Sequence, residues 1–124
     1  FQTCALPIYI VESRAAPQRA VRVFDVADYG SALRNGRDFV DLGEGTPDGF
    51  RCDVDGNLWC GWGMSRELNG VAVFAPDGTM IGRIALPERA ANLCFGGTKR
   101  NRLFIAGSHS LYAVYVNTQG AVGG

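Results

Sequence analysis

The sequence has 124 residues, enough for one domain, and its 12 acidic and 12 basic residues give a formal net charge of zero. This balance does not favour binding to nucleic acid or to an anionic membrane surface, because both depend on an excess of basic residues. No apolar run approaches the roughly 20 residues of a membrane-spanning helix. Seventeen glycines and many short β-rich runs predict an all-β protein with tight turns.

The first third of the chain is predicted to form three strands. Residues 9–12 and 21–26 show strand patterns, and residues 38–41 form a short outer strand. Turn signals lie at Asp28-Tyr29-Gly30 and at Arg34-Asn35-Gly36-Arg37, between the second strand and the third. The three strands are therefore expected to form one antiparallel sheet.

A turn, a strand, a tight turn and a second strand are predicted over residues 45–59. Pro47 cannot donate to a β-ladder, so the strand begins after it, with Asp48 where a stiff loop meets that strand. Such a position can aim a side chain at a ligand. Residues 53–57 faintly resemble a calcium loop but lack the distal Glu, so we predict a hairpin turn.

The second half of the chain repeats this arrangement. Residues 48–61 parallel residues 92–107 at a distance of 44 residues (92 − 48), which is typical of a four-stranded propeller blade. The repeat predicts that Asn92 occupies the position of Asp48 and either faces a channel or caps the backbone. Further strands are predicted at 70–75, 80–86, 102–106 and 110–116, with a loop over 61–69.

The cysteines and the single histidine give weaker signals. Cys52 and Cys60 lie on the two arms of the predicted hairpin, so a disulfide is one alternative and buried reduced thiols are the favoured one. His109 is predicted to be a turn residue rather than a base. Residues 1–8 resemble a translated sequencing adapter, so we expect them to be non-native and leave them out of the functional argument.

Several of these stretches together resemble the gluconolactonase, regucalcin and luciferin-regenerating-enzyme family over roughly residues 9–120. The resemblance implies a fragment of a six-bladed β-propeller, about half of it, built of four-stranded antiparallel blades. It places an incomplete blade at 9–42, a full blade at 48–86 and a final blade at 92–120. The missing N-terminal half would be the partner of this piece. The matching stretches are 45–59, 71–78, 83–87, 92–97 and 110–116.

In this family the Asp of the Pro-Asp-Gly step is a ligand of the central metal and takes part in lactone hydrolysis. The resemblance therefore implies that Asp48 is both a metal ligand and a catalytic residue, with one divalent ion (Ca²⁺, Zn²⁺, Mn²⁺ or Mg²⁺) as cofactor. Such an ion polarises a carbonyl, and the carboxylate can act as general base on a water. The family's other ligands fall before this sequence begins, so the chain alone is expected to be inactive.

The alternation of strand direction predicts which loops share the end of the sheets where Asp48 lies. These are residues 14–19, 61–69, 87–91 and 107–109. Within the second of these loops, Trp62, Met64 and Arg66 are candidates for lining a substrate entrance. The alternative is a solvated loop without a role in binding.

The sequence thus predicts a fragment of a metal-dependent lactone hydrolase that acts on a sugar lactone, a small molecule. The alternatives are a non-catalytic ligand-binding or calcium-binding propeller and an inactive truncated fragment. Neither nucleic acid nor membrane is an expected partner. A cytoplasmic location is expected, with a periplasmic or secreted one open because the sequence is expected to lack its true N-terminus.

Overall fold

The computed structural model describes residues 7–12, 20–41 and 45–122. These residues form three antiparallel sheets and one 3₁₀ turn at Asp28–Gly30, with no α-helix in the described ranges. No helix among them is long and apolar enough to cross a membrane. The strands are β1 Ile8–Glu12, β2 Ala20–Ala27 and β3 Ala32–Asp41 in the first sheet, β4 Thr46–Cys52, β5 Leu58–Gly63, β6 Gly70–Phe74 and β7 Met80–Ala85 in the second, and β8 Ala90–Gly96, β9 Arg102–Gly107 and β10 Leu111–Tyr115 in the third.

The three sheets are held together by two apolar clusters, one at each junction. Successive residues of a strand face opposite sides of a sheet, so the middle sheet contributes to both clusters. Leu58, Cys60 and Trp62 of β5 face the first sheet, whereas Trp59 packs towards the third, with its ring 5.5 Å from that of Phe95. The buried residues of the first junction are Val21, Leu58, Cys60, Trp62, Ala72 and Phe74, and those of the second are Val71, Ala90, Leu93, Leu103 and Ile105.

A hairpin turn joins β4 to β5, as the sequence predicts. The carboxylate of Asp53 is buried and accepts hydrogen bonds from the backbone N–H groups of Asp55 and Asn57, both at 2.9 Å. Its second oxygen accepts from Asn57 Nδ2 at 3.0 Å and from the indole N–H of Trp59 at 2.9 Å. The carboxylate is fully used within the turn, so the hairpin interpretation is confirmed.

One turn predicted in the first sheet is wrong. Residues 34–37 lie inside β3, which runs from Ala32 to Asp41 rather than over residues 38–41 alone. The pairing shifts by one residue between Val23 and Asp25, and Asn35 has φ = 54°. The Asn-Gly signal therefore marks a β-bulge, since bulges need the same positive φ that turns need. The other predicted turn, Asp28-Tyr29-Gly30, is confirmed.

The cysteines of the described residues are free, and the preference for reduced thiols is confirmed for the hairpin pair. Cys60 is buried and Cys52 is half-buried, and burial raises the pKa of the Cys60 thiol to about 12. Cys94 differs from both because it is exposed. Cys4 lies outside the described residues.

The predicted blade boundaries and the non-native nature of residues 1–8 stay predictions. Most of that segment lies outside the described residues, and Ile8 opens β1, where it pairs with Phe24. The three sheets are side by side in chain order, with β4 and β8 as neighbouring strands at the second junction.

Candidate functional site

Asp48 lies on a β-bulge near the beginning of β4. Pro47 pairs with Trp62 and Phe50 pairs with Cys60, so Asp48 and Gly49 together face one residue of β5. A bulge of this kind bends the strand and changes the direction of a side chain. The Asp48 side chain is 42% exposed, which leaves it accessible at the end of the sheet where β5 ends. We call this end of the three sheets the Asp48 end.

Two glycines allow β4 and β5 to approach β8 closely at this end. A Cβ on Gly49 would lie 2.1 Å from Asn92 Oδ1 and 2.9 Å from Asn92 Cα. A Cβ on Gly61 would lie 2.7 Å from the carbonyl oxygen of Ala90. Both glycines are therefore required by the backbone contact, and they bring Asn92 directly beside the bulge.

The predicted equivalence of Asn92 and Asp48 is wrong by one residue. Phe50 pairs with the buried Cys60, and Leu93 pairs with the equally buried Ile105, so Phe50 and Leu93 are the equivalent pair. Asn92 then corresponds to Gly49, and an alanine stands at the position of Asp48. Asn92 is nevertheless exposed beside Asp48, and its Oδ1 accepts a hydrogen bond from the Leu93 N–H at 2.9 Å. Its predicted role in substrate binding stays a prediction.

Arg89 is the residue that pairs with Asp48, and the sequence analysis does not identify it. Its Nη2 donates to Asp48 Oδ2 at 2.8 Å, and its Nη1 lies 3.8 Å from Met64 Sδ. Its aliphatic part covers Gly63, where a Cβ would lie 2.5 Å from Arg89 Cγ. The sequence predicts that loop 87–91 lies at the Asp48 end, and Arg89 is the one cation in that loop. Its charge was therefore the signal that could have identified it as a partner of Asp48.

The three entrance candidates have different environments. Trp62 is not in a loop, because β5 extends to Gly63, and the residue is only 4% exposed in the core of the first junction. The loop prediction is therefore wrong for Trp62, and its side chain offers no surface to a substrate. Met64 is 58% exposed and contacts Arg89, with φ = 103°. Arg66 is exposed in the same connection.

A second polar group lies at the Asp48 end, around Glu88. Glu88 Oε1 accepts from the Tyr112 hydroxyl at 2.8 Å, and Oε2 accepts from the His109 backbone N–H at 2.6 Å and lies 3.0 Å from Nδ1. The bond from Tyr112 is the main cause that lowers the pKa of Glu88, and the same bond raises the pKa of Tyr112. His109 closes the turn between β9 and β10, so its predicted turn role is confirmed.

The described residues around Asp48 supply few donors for the expected metal ion. Asp48 Oδ2 is bound by Arg89, and Oδ1 accepts no hydrogen bond from the described residues. Oxygen is the donor that Ca²⁺ and Mg²⁺ prefer, and Asn92 adds a carboxamide nearby. Within those same residues, however, no group of three His, Cys, Asp or Glu side chains is placed to hold an ion. Asp48 therefore fits one position of a coordination sphere, and the rest would have to come from elsewhere.

Comparison with known proteins identifies the family. Residues 8–109 match the family model described as the SMP-30/gluconolactonase/LRE-like region. The chain belongs to this family. A gluconolactonase of Zymomonas mobilis is 37% identical over 91 residues, which are 71% of this chain and 24% of that protein. A lactonohydrolase of Aspergillus oryzae is 30% identical over 103 residues, 83% of this chain and 21% of that protein.

The same family includes proteins of known structure. A gluconolactonase from Xanthomonas campestris superposes with a TM-score of 0.72 at 30% identity, over 94% of this chain and 34% of that protein. The predicted all-β propeller architecture is thus confirmed. The present chain spans less than a quarter of the length of each of the two curated relatives and about a third of the Xanthomonas protein.

Proposed function

We propose that this chain is part of a divalent-metal-dependent lactone hydrolase that acts on a sugar lactone, with Asp48 as metal ligand and catalytic carboxylate. The observation that carries the proposal is the half-exposed Asp48 carboxylate on the bulge of β4, in a chain whose family includes a gluconolactonase and a lactonohydrolase. A bulge is a common way to direct a side chain at an active site.

The reaction sets clear requirements for the protein. The oxygen of a water bonds to the lactone carbonyl carbon, the bond from that carbon to the ring oxygen breaks, and one water proton passes to the ring oxygen. A bound divalent ion would polarise the carbonyl and lower the pKa of the water. Asp48 would accept the proton through Oδ1, because Oδ2 is already held by Arg89 at 2.8 Å. A hydroxy acid leaves as the product.

The residues proposed to surround the substrate follow from their positions at the Asp48 end. Asn92 lies against Gly49 beside the bulge, and its Nδ2 can donate to a sugar hydroxyl. Met64 and Arg66 are exposed in the connection that follows β5. Trp62 is left out of this set because it belongs to the core.

A second candidate function is a ligand-binding or calcium-binding propeller without catalysis. The observation that favours it is the single carboxylate near the bulge, since the described ranges bring no three metal-ligating side chains together. The same observation also favours the third alternative, an inactive truncated fragment. The non-catalytic alternative differs from the other two because it predicts no lactone hydrolysis once the remaining blades are supplied.

The test uses a hybrid protein in which this chain replaces the aligned region of the Xanthomonas relative and is joined to the upstream portion of that protein. Hydrolysis of δ-gluconolactone is followed with Ca²⁺, Zn²⁺, Mn²⁺ or Mg²⁺, or with a chelator, and δ-valerolactone serves as a lactone without hydroxyl groups. We expect metal-dependent turnover that chelation abolishes and that favours the sugar lactone. A folded hybrid that binds the metal but hydrolyses neither lactone would support the non-catalytic alternative instead.

A further inference from the structure

Arg89 is held in place on two sides. Its aliphatic part covers Gly63 so closely that a Cβ at that glycine would overlap Arg89 Cγ and Cβ, at 2.5 and 2.9 Å. Its Nη2 donates to Asp48 at 2.8 Å. The Arg89 side chain as a whole is still 35% exposed. A cation that is fixed and yet accessible is suited to ligand recognition, because little conformational entropy is lost on binding.

Among the described residues, most donors of the Arg89 guanidinium have no good acceptor. A guanidinium carries five N–H groups. The Nε–H of Arg89 is buried and has no hydrogen-bond partner in the described part of the chain. The neighbour of Nη1 is the thioether of Met64 at 3.8 Å, and sulfur is a weak acceptor. A buried donor without a partner is costly, so a ligand oxygen that accepts from the Nε–H or from Nη1 would gain free energy.

The backbone of Met64 is strained at this contact. Its φ of 103° is unfavourable for a residue with a Cβ, and such outliers cluster at ligand sites. The side chain is 58% exposed, so it can leave Nη1 without opening the core. Met64 thus covers one edge of the guanidinium with a group that an incoming oxygen can replace.

Glu88, the residue before Arg89, fixes the backbone of the segment that carries Arg89. Its carboxylate is only 14% exposed and accepts from the Tyr112 hydroxyl and from the backbone and ring of His109. A Cβ at Gly107 would lie 2.8 Å from Glu88 Oε1, so the carboxylate fills the space that this glycine leaves. Because Glu88 is bonded to His109 and Tyr112 of the third sheet's β9–β10 hairpin, the backbone of the next residue is fixed just before β8, where Arg89 reaches Asp48.

We propose that Arg89 is the residue that binds the acyl oxygens of the ligand, namely the lactone carbonyl oxygen and then the carboxylate of the hydroxy-acid product. Glu88 is its positioning residue. The inference rests on the proposed function, because that function supplies a ligand with these oxygens. The chemistry fits, since a guanidinium recognises a carboxylate through two parallel N–H bonds, and a charge-assisted bond is stronger than a neutral one.

The binding test uses the 124-residue chain and D-gluconate as the probe. The Nε–H resonance of Arg89 is followed by NMR while gluconate is added, with D-sorbitol as the neutral polyol of equal carbon number. We expect a saturable shift with gluconate and none with sorbitol. Arg89→Met should lower gluconate affinity roughly 10-fold or more, and Arg89→Lys should restore part of it. Lys99→Met, at an exposed cation in the turn between β8 and β9 and outside the proposed site, is the control and should change little.

Two results would overturn the inference. One is the absence of any saturable change at Arg89 in the wild-type chain, and the other is unchanged gluconate affinity in a folded Arg89→Met chain. The positioning role is tested with Glu88→Gln, which should broaden the Arg89 Nε–H signal and weaken gluconate binding less than Arg89→Met does. A Glu88→Gln chain with an unchanged Arg89 signal would contradict that role.

Failure here is distinguishable from failure of the proposed function. Gluconate binding through Arg89 together with an inactive hybrid protein would remove the hydrolase proposal and leave this site as a carboxylate-binding site. An active hybrid whose product inhibition by gluconate is the same with Arg89→Met would remove this inference alone.

Discussion

Arg89 Nη2 lies 2.8 Å from Asp48 Oδ2, and this ion pair joins the connection after β7 to the bulge in β4. The two residues are 41 positions apart in the chain, so the contact exists only when the second and third sheets are packed together. It holds one oxygen of Asp48, while the other accepts no hydrogen bond from the described residues. Assembly of the second junction therefore also orients the candidate catalytic carboxylate.

The close approach of β4 to β8 predicts a steric requirement at Gly49. Gly49→Ala would place a Cβ 2.1 Å from Asn92 Oδ1 and 2.9 Å from its Cα, so the strands must move apart. We expect a loss of about 1–3 kcal/mol in the free energy of unfolding, measured by urea denaturation. The matched control is Gly82→Ala, whose Cβ would meet nothing nearer than Val73 Cβ at 3.9 Å. Equal stability of the two variants would contradict the account.

Asp53 predicts a second stability difference. Asp53→Ala leaves four donors of the β4–β5 hairpin without their acceptor, among them the Trp59 indole, in a site that is 1% exposed. We expect a loss of about 3 kcal/mol, because each unsatisfied buried donor is costly. Asp77→Ala is the control, since the exposed Asp77 accepts one backbone bond, from Thr79 at 2.8 Å. Equal decreases in the denaturation midpoints of Asp53→Ala and Asp77→Ala would contradict this prediction.

The hydrogen bond between Tyr112 and Glu88 predicts two pH effects of opposite direction. The pKa of Glu88 is lowered below 4.5, so its contribution to stability is present above that value and is lost as the pH falls through the folded pKa. The pKa of Tyr112 is raised above 10.0, so its contribution is present below that value and is lost as the pH rises further. Tyr112→Phe should move the pKa of Glu88 back towards 4.5 in an NMR titration of the carboxyl carbon. An unchanged Glu88 titration would show that this bond does not form.

The cysteines are predicted to react with alkylating agents in a fixed order. Cys94 is exposed, whereas burial raises the pKa of Cys60 to about 12, and only the thiolate is nucleophilic. In native protein at neutral pH, iodoacetamide should label Cys94 and leave Cys60 unlabelled until denaturant is added. Mass spectrometry of peptides from a Cys4→Ser chain gives the order directly. Early labelling of Cys60 would mean that the first junction opens readily.

Local sequence signals were sufficient to locate the strands but not to place all their ends or their irregularities. The Asn35-Gly36 pair requires positive φ, and such a pair occurs in turns and in bulges alike. Only the pairing of β2 with β3 distinguishes the two. The loop after Cys60 begins later than predicted because Trp62 is buried by the first sheet, which is a tertiary effect.

The candidate site was also predictable from local sequence only in part. Asp48 was found from Pro-Asp-Gly and from the family resemblance, whereas Arg89 became identifiable only through its contact across the second junction. The one-residue error at Asn92 arose because the two hairpins differ in length: Phe50 pairs with a residue 10 positions later (60 − 50), whereas Leu93 pairs with one 12 positions later (105 − 93). A repeat aligned by residue type alone does not detect such a difference.

The chain contains an internal control for its central claim, because Pro-Asp-Gly occurs twice, at 47–49 and at 76–78. Asp77 lies in the β6–β7 turn and accepts the Thr79 N–H, whereas Asp48 pairs with Arg89 on the bulge. The decisive measurement is kcat/KM for δ-gluconolactone in the hybrid protein carrying Asp48→Asn or Asp77→Asn. We predict a loss of about 100-fold or more for Asp48→Asn, the scale of a lost general base, and little change for Asp77→Asn. Full activity of a folded Asp48→Asn hybrid would contradict the role of Asp48.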